Sequence, residues 1–290
     1  MFLISVESYR GEGSRLPGYR PVLFTVTALF CILVAIEIAL RWVFVSVQAF
    51  HPILQDETSR NILAKNIGVN ALSCFVVSYM GLKARHVLRD FWGAIASRGR
   101  SGVSGAYDSR LFEYHPEGAR ILVFFVSFQI KNLVDSIQWN EGPEFIAHHI
   151  FAIFSAGGGL VPGAFHFYAI FYMGISEFST GILCLLASYD DDLGVEGLSE
   201  AFPMVKVVLG SLFLVSFVVI RVFLWGSLTC VYFQDIRNAF RVNHSKLVGG
   251  RRTFAWLNSV SLGFITLLQV IWLFEVFRVA KLEMKQLGWL

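Results

Sequence analysis

Charged side chains are scarce in this sequence. Asp, Glu, Lys and Arg make up 16% of its 290 residues, whereas soluble domains carry about 25%. So few charges cannot coat a globule in water, which excludes an ordinary soluble enzyme. The formal net charge of +3 is also small. It predicts no nucleic-acid partner, because nucleic-acid-binding domains concentrate positive charge on one face.

Cysteine is equally sparse. The four cysteines, Cys31, Cys74, Cys184 and Cys230, lie in separate apolar stretches. Their positions match neither the paired spacing of a zinc site nor a disulfide framework. We therefore expect no bound metal and no cofactor, and we interpret the cysteines as small apolar packing residues.

Long apolar runs fill most of the chain, and the mean hydropathy is +0.60. A helix needs about 20 apolar residues to cross a bilayer. The sequence therefore predicts an all-α, polytopic integral membrane bundle with about seven transmembrane helices. The fourth run ends at three consecutive glycines, which we interpret as the start of a tight reversal. The predicted spans are 22–47, 62–82, 119–139, 144–160, 163–187, 204–234 and 253–280.

Ionisable side chains inside these runs mark candidate functional positions, because each costs about 3 kcal/mol at the centre of a membrane. Lys131 and Asp135 lie four residues apart on the polar half of the third predicted helix. In one interpretation they neutralise each other as a structural ion pair. In the other they line a polar cavity, and the sequence leaves both open.

Two adjacent histidines, His148 and His149, lie in the fourth predicted helix. On a helical wheel they share an arc with the small residues Ala152, Ser155 and Gly159. Small residues mark close helix contacts, so we expect both imidazoles to point into the bundle. Imidazole acts as a base or a nucleophile, and we predict a catalytic role for both. The alternative is that they are hydrogen-bonded packing residues.

Glu177 lies in the fifth predicted helix on the same side as Thr180. A bulky stripe that includes Phe167, Phe171 and Ile182 lies on the opposite side. We interpret the stripe as lipid-facing, which predicts that Glu177 points inward, towards the histidine helix. A carboxylate there would orient an imidazole or relay its proton, so Glu177 is a third candidate catalytic residue. A protonated glutamate bonded to a backbone carbonyl is the alternative.

Arg221 lies near the middle of the sixth predicted helix and needs an anionic partner. The candidates are Glu177, Asp135 and a lipid head group. We group Arg221 with Lys131, Asp135 and Thr180 as residues expected to bind lipid or to line a cavity.

These motifs together resemble the TLC-domain family of eukaryotic membrane proteins, which includes the ceramide synthases. The resemblance rests on the Asp-bearing third helix and on four further features. These are FIAHHIFAIF at 145–154, SEFST at 176–180, the arginine of the next helix, and LLQVIWLFEVFRVAK at 267–281. Paired histidines followed by an acidic Ser-Thr helix are its most specific part.

The resemblance implies a TLC-type transmembrane domain over 60–285. An N-terminal tail at 1–21 and a first transmembrane helix and loop at 22–59 precede it, and a tail at 286–290 follows. It further implies about six helices around a lipid-sized cavity in an internal membrane, usually the endoplasmic reticulum. The helix after the histidines lacks the His-Asp pair of ceramide synthases, which places the chain nearer to the small TLC domain-containing proteins.

The function that this resemblance implies is binding of a lipid or acyl chain in lipid metabolism or homeostasis. If the protein is an enzyme, the expected reaction is acyl transfer from acyl-CoA. In that reaction His148 or His149 would attack or deprotonate, and Glu177 and Lys131 would tune the local charge. The alternatives are a non-catalytic lipid sensor or transport protein and a proton-coupled transporter, although inverted repeats are absent. Membrane lipids and acyl-CoA are the expected partners, and the oligomeric state is open.

Overall fold

The computed structural model describes residues 19–89, 107–160, 163–190, 193–242, 244–247 and 250–286. Most of the predicted N-terminal tail and residues 287–290 lie outside this description. Within the described ranges every regular element is helical. The helices are α1 (Tyr19–Ser46), α2 (Glu57–His86), α3 (Tyr107–Phe112), α4 (Pro116–Gln138), α5 (Pro143–Leu160), α6 (His166–Ala187), α7 (Leu198–Ala201), α8 (Pro203–Arg241) and α9 (Gly250–Gln286).

Six helices in this part of the chain are long and apolar enough to cross a membrane, namely α1, α2, α4, α6, α8 and α9. The prediction of an all-α polytopic membrane bundle is therefore confirmed. The fourth predicted span, 144–160, is α5, which forms as a helix but does not belong to the six. Its acidic residue, two histidines and three glycines lower its hydropathy. The expected number of about seven is corrected to six for the described residues.

The chain forms two compact units, and each is assembled from three separate stretches. The first unit comprises Met1–Ile32, Val76–Ile175 and Gly226–Ile265, and the second comprises Leu33–Phe75, Ser176–Trp225 and Thr266–Leu290.

In the first unit, α4 packs along α5 and along the beginning of α6. Its core contains large side chains that are less than 2% exposed, including Ile121, Phe128, Phe171 and Tyr232. The prediction that the bulky stripe of α6 faces lipid is therefore wrong for Phe167 and Phe171, because both side chains belong to the core. Lipid tails and a protein core are equally apolar, so hydropathy alone cannot separate these two environments.

The short helix α3 is held in the first unit by a buried ion pair. Arg110 donates from Nε and Nη2 to the two carboxylate oxygens of Asp235, at 2.6 Å each. The Tyr168 hydroxyl donates to the same carboxylate. Burial lowers the pKa of the Arg110 guanidinium, but the bonds to Asp235 outweigh this effect and the net pKa is raised. A bidentate ion pair of this kind fixes the orientation of the two side chains as well as the distance between them.

The three glycines of α5 do not end the helix, which continues to Leu160. The chain reverses afterwards, near Gly163, where φ is +60°. Gly159 instead permits close packing on α4, because a Cβ atom there would lie 2.8 Å from Cδ1 of Leu122. The span therefore ends at residue 160 as predicted and the reversal follows it. The glycines themselves lie inside the helix, where Gly159 is a small residue at a helix contact.

In the second unit, the Glu177–Ala187 part of α6 packs against the Ala64–Ala71 part of α2 and the Pro203–Ser216 part of α8. A buried cluster of Ile182, Phe213 and Phe217 lies at the centre of this contact. Ile182 therefore also belongs to a core rather than to a lipid-facing stripe.

Gly81 of α2 meets the backbone of α6 within the first unit. A Cβ atom at Gly81 would lie 2.7 Å from the backbone nitrogen of Ile175 and 2.9 Å from the carbonyl oxygen of Ile170. A packed backbone does not move aside easily, so we expect Gly81→Ala to lower the free energy of unfolding by about 1–3 kcal/mol. Denaturation in mixed detergent micelles measures this loss.

The matched control is Gly226→Ala, because a Cβ atom at Gly226 meets nothing within 4 Å. Alanine in a helix interior is favoured over glycine by about 0.5–1 kcal/mol, so the control should be neutral or stabilising. Equal stability of the two variants would contradict the close contact at Gly81.

Candidate functional site

The paired histidines lie on α5 in the first unit, half-buried, with ring centroids 5.2 Å apart. Nδ1 of His149 lies 2.7 Å from Oε1 of Gln129 on α4. An amide oxygen only accepts hydrogen bonds, so Nδ1 is the ring nitrogen that donates in this contact. In the neutral ring the lone pair then belongs to Nε2, and a base or a nucleophile would use that nitrogen.

Gln129 was not predicted as a site residue. It is 3% exposed and lies on the polar half of α4, two residues before Lys131. The available signal was a polar side chain on the polar half of a membrane helix.

The small-residue face of α5 is its contact face. Ala152, Ser155 and Ala156 are at most 2% exposed, whereas Ile150 and Phe154 are exposed. The prediction that the small residues mark a close helix contact is confirmed. The histidine helix therefore has one buried face and one exposed apolar face.

Lys131 and Asp135 are both buried on α4, and the Lys131 ammonium donates to Oδ2 of Asp135. The structural ion pair, one of the two interpretations left open, is therefore formed. The proposed role of these residues in lining a cavity stays a prediction.

Arg221 is the centre of a polar network in the second unit. Its Nη2 donates to Oε1 of Glu177 at 2.9 Å and to Oγ1 of Thr180, and its Nε donates to Oγ of Ser179 at 3.2 Å. Its guanidinium carbon lies 5.2 Å from the centre of the Trp225 ring. Among the three partners that the sequence left open, the structure selects Glu177.

The arginine network lies beside irregular helix geometry. Arg221 belongs to a π-helical segment, Phe217–Leu224, and Glu177 follows another, Ile170–Ile175, by two residues. A π-helical turn displaces side chains from their regular positions, and such turns are frequent at functional sites. Cys74, which we had interpreted as a packing residue, donates from Sγ to Oε2 of Glu177 at 3.7 Å.

The predicted site residues fall into two groups. His148, His149, Lys131 and Asp135 lie in the first unit, and the second unit contains Glu177, Thr180 and Arg221. Glu177 is buried as predicted, but its contact with the histidines stays a prediction. Within the ranges listed above, no three His, Cys, Asp or Glu side chains are close enough to hold a metal ion.

A recess in the first unit lies on the buried face of α5. Its enclosed part has room for about one water molecule. Pockets that hold drug-sized ligands are far larger, about 300–1,000 Å³. The recess is therefore not the lipid-sized cavity that the resemblance implies. Its lining includes Leu122, Ser155, Gly159, Tyr168, Tyr232 and Asn258.

Comparison with known protein families gives one match. Residues 64–278, more than half of the chain, match the family described as the TLC domain. No curated protein and no solved structure matches the chain.

The network in the second unit predicts a strong dependence of stability on Arg221. In Arg221→Met the Glu177 carboxylate stays buried without its cation, so we expect a loss of about 3–5 kcal/mol in the free energy of unfolding. The double variant Arg221→Met/Glu177→Gln removes both charges and should recover part of this loss. Denaturation in mixed micelles measures all three proteins.

Arg278→Met is the control, because Arg278 forms an exposed pair with Glu275 on α9. Exposed pairs contribute about 0–1 kcal/mol. The importance of the buried network is refuted if Arg221→Met is no more destabilising than this control.

Proposed function

The chain belongs to the TLC-domain family of membrane proteins, and from this premise we propose that it binds the acyl chain of a lipid and transfers it with a catalytic histidine. Proteins of this family act in lipid metabolism and sensing, which supports a lipid substrate. We further propose the endoplasmic reticulum as its membrane, following the family resemblance.

The hydrogen bond from His149 to Gln129 is the observation that carries the proposal. It directs the lone pair of the imidazole to Nε2 and holds the ring in one orientation, 2.7 Å from its acceptor. Fixing the tautomer in advance removes a reorganisation step from the reaction.

The proposed reaction begins with attack of His149 Nε2 on the thioester carbonyl of an acyl-CoA. The C–S bond breaks, the thiolate leaves, and the acyl group is carried on the imidazole. A lipid amine or hydroxyl then attacks the acyl carbonyl and receives the acyl group, and its proton goes to His148, the neighbouring ring. Nε2 of His149 is released with its lone pair restored.

The buried charges have supporting roles in this proposal. The Lys131–Asp135 pair lies on α4 within two turns of Gln129, and we propose that it keeps this part of the helix polar. Glu177 remains our third proposed catalytic residue, and its bond to Arg221 holds the carboxylate in one position. Thr180 and Arg221 are proposed to contribute to lipid binding through the same network.

A non-catalytic lipid sensor or transport protein is the second candidate. It is favoured because two of the buried carboxylates, Asp135 and Glu177, are each paired with a cation. Carboxylates in such pairs are poorly suited to relay protons, because either proton transfer would leave a buried charge without its partner. The same pairing disfavours a proton-coupled transporter.

Acyl transfer from labelled acyl-CoA to a membrane lipid extract, measured with the purified protein in detergent, tests the catalytic proposal. We expect His149→Ala to lower the rate by about 100-fold or more and His148→Ala to lower it less. Gln129→Leu should reduce the rate about tenfold, because the ring loses the bond that sets its tautomer.

His86→Ala is the matched control, since His86 is exposed on α2 in the same unit, and it should retain full activity. Transfer by His149→Ala at the wild-type rate would remove this residue from the mechanism. Lipid that co-purifies with a wild-type protein that transfers nothing would support the sensor instead.

A further inference from the structure

Four exposed arginines lie in the first unit where α8 ends and α9 begins. Arg237 and Arg241 lie on α8, and their spacing of four residues places them on one face of the helix. Arg251 and Arg252 directly follow Gly250, the first residue of α9. These four residues form the α8–α9 arginine cluster.

Aromatic side chains place this cluster at the level of the lipid head groups. The guanidinium carbon of Arg252 lies 5.6 Å from the centre of the Phe240 ring, and the centre of that ring lies 5.5 Å from that of Trp256. Trp256 is exposed, and the exposed residues that follow it on α9, Leu257 and Val260, are apolar. Exposed tryptophan is typical of the boundary between hydrocarbon and head groups. Arg252, about one turn before Trp256, therefore lies on the head-group side.

Two neighbouring cations are already paired, whereas the cluster is not. Arg110 is paired with Asp235. Lys246, in the connection between the two helices, is paired with Asp108 at 3.0 Å. Among the residues that the structure describes, no carboxylate forms an ion pair with any of the four arginines. Their positive charge is therefore available to an anion from outside the chain.

Arginine and the beginning of a long helix both favour phosphate as that anion. The planar guanidinium forms two parallel hydrogen bonds with phosphate oxygens, a geometry that the ammonium of lysine does not provide. The first backbone N–H groups of a helix have no partners within it and form the positive end of its dipole. In α9, a helix of 37 residues, these groups lie beside Arg251 and Arg252.

We propose that the α8–α9 arginine cluster binds a phospholipid whose head group carries additional phosphate groups. The ligand is a lipid rather than a soluble phosphate, because the exposed apolar surface of α9 begins about one turn from the arginines and would contact the acyl chains. The head group lies on the arginines, outside the hydrocarbon, so the site needs no enclosed cavity. The inference does not depend on the proposed function, since neither His148 nor His149 takes part in it.

Native mass spectrometry of the purified protein in an uncharged detergent tests the inference. The probes are phosphatidylcholine, phosphatidylinositol bisphosphate with the same acyl chains, and inositol trisphosphate, which is the free head group without the chains. Each Lys or Arg near a membrane surface strengthens the binding of an anionic lipid about fivefold. We therefore expect the bisphosphate lipid to bind about tenfold or more tightly than phosphatidylcholine. Inositol trisphosphate should bind more weakly than the bisphosphate lipid, because it lacks the acyl chains.

Two double variants locate the site. Arg241→Gln/Arg252→Gln removes two charges of the cluster, so we expect it to lower the affinity for the bisphosphate lipid about tenfold or more. Its affinity for phosphatidylcholine should not change. The matched control is Lys281→Gln/Lys285→Gln, because both lysines are exposed near the other end of α9, in the second unit. The control removes the same amount of charge and should keep the wild-type affinity.

Equal affinity of the wild-type protein for the two lipids would overturn the inference, and this comparison is decisive even if a variant fails to fold. Equal loss of affinity in the two double variants would also overturn it, because binding would then follow the net charge of the protein and not the cluster. If inositol trisphosphate binds as tightly as the bisphosphate lipid, the ligand is a soluble phosphate and the assignment to a lipid is wrong. None of these outcomes bears on acyl transfer, so the proposed function is tested separately.

Discussion

The need to pair buried charges inside the protein is the constraint on which this structure depends. Hydrocarbon offers no hydrogen bonds, so a charged side chain in a membrane helix is costly without a protein partner. Arg221 forms an ion pair with Glu177, and Lys131 forms one with Asp135. His149 is hydrogen-bonded to Gln129. These partnerships set the orientation of the groups to which we assign chemistry, because pairing and orientation are achieved by the same bonds.

Close backbone approach is the second requirement, and glycine meets it. Gly81, Gly118 and Gly159 each lie where a Cβ atom would be less than 3.0 Å from an atom of a neighbouring segment. Helices in a membrane gain little from the hydrophobic effect when they associate, so dense packing contributes more of their stability. The buried face of α5, and the recess upon it, exist because small residues let α4 and α9 come near.

Much of the fold was predictable, because hydrophobic length and i, i+4 spacing are local properties. The ends of α4 lie within three residues of the predicted span, and the Lys131–Asp135 pair follows from four-residue spacing on one helix. The stripe of α6 was misassigned because core and lipid are equally apolar. The end of α5 at residue 160 was also predictable, because consecutive glycines are a local signal.

The sequence by itself determined the helical membrane architecture, the family resemblance and the positions of the intramembrane ionisable groups. Each of these depends only on composition and short-range spacing. Only the tertiary structure decided that Glu177 is the partner of Arg221, that Gln129 sets the tautomer of His149, and that Asn258 lines a recess. Such pairings join side chains on different helices. They depend on how the helices rotate and pack, which no local pattern records.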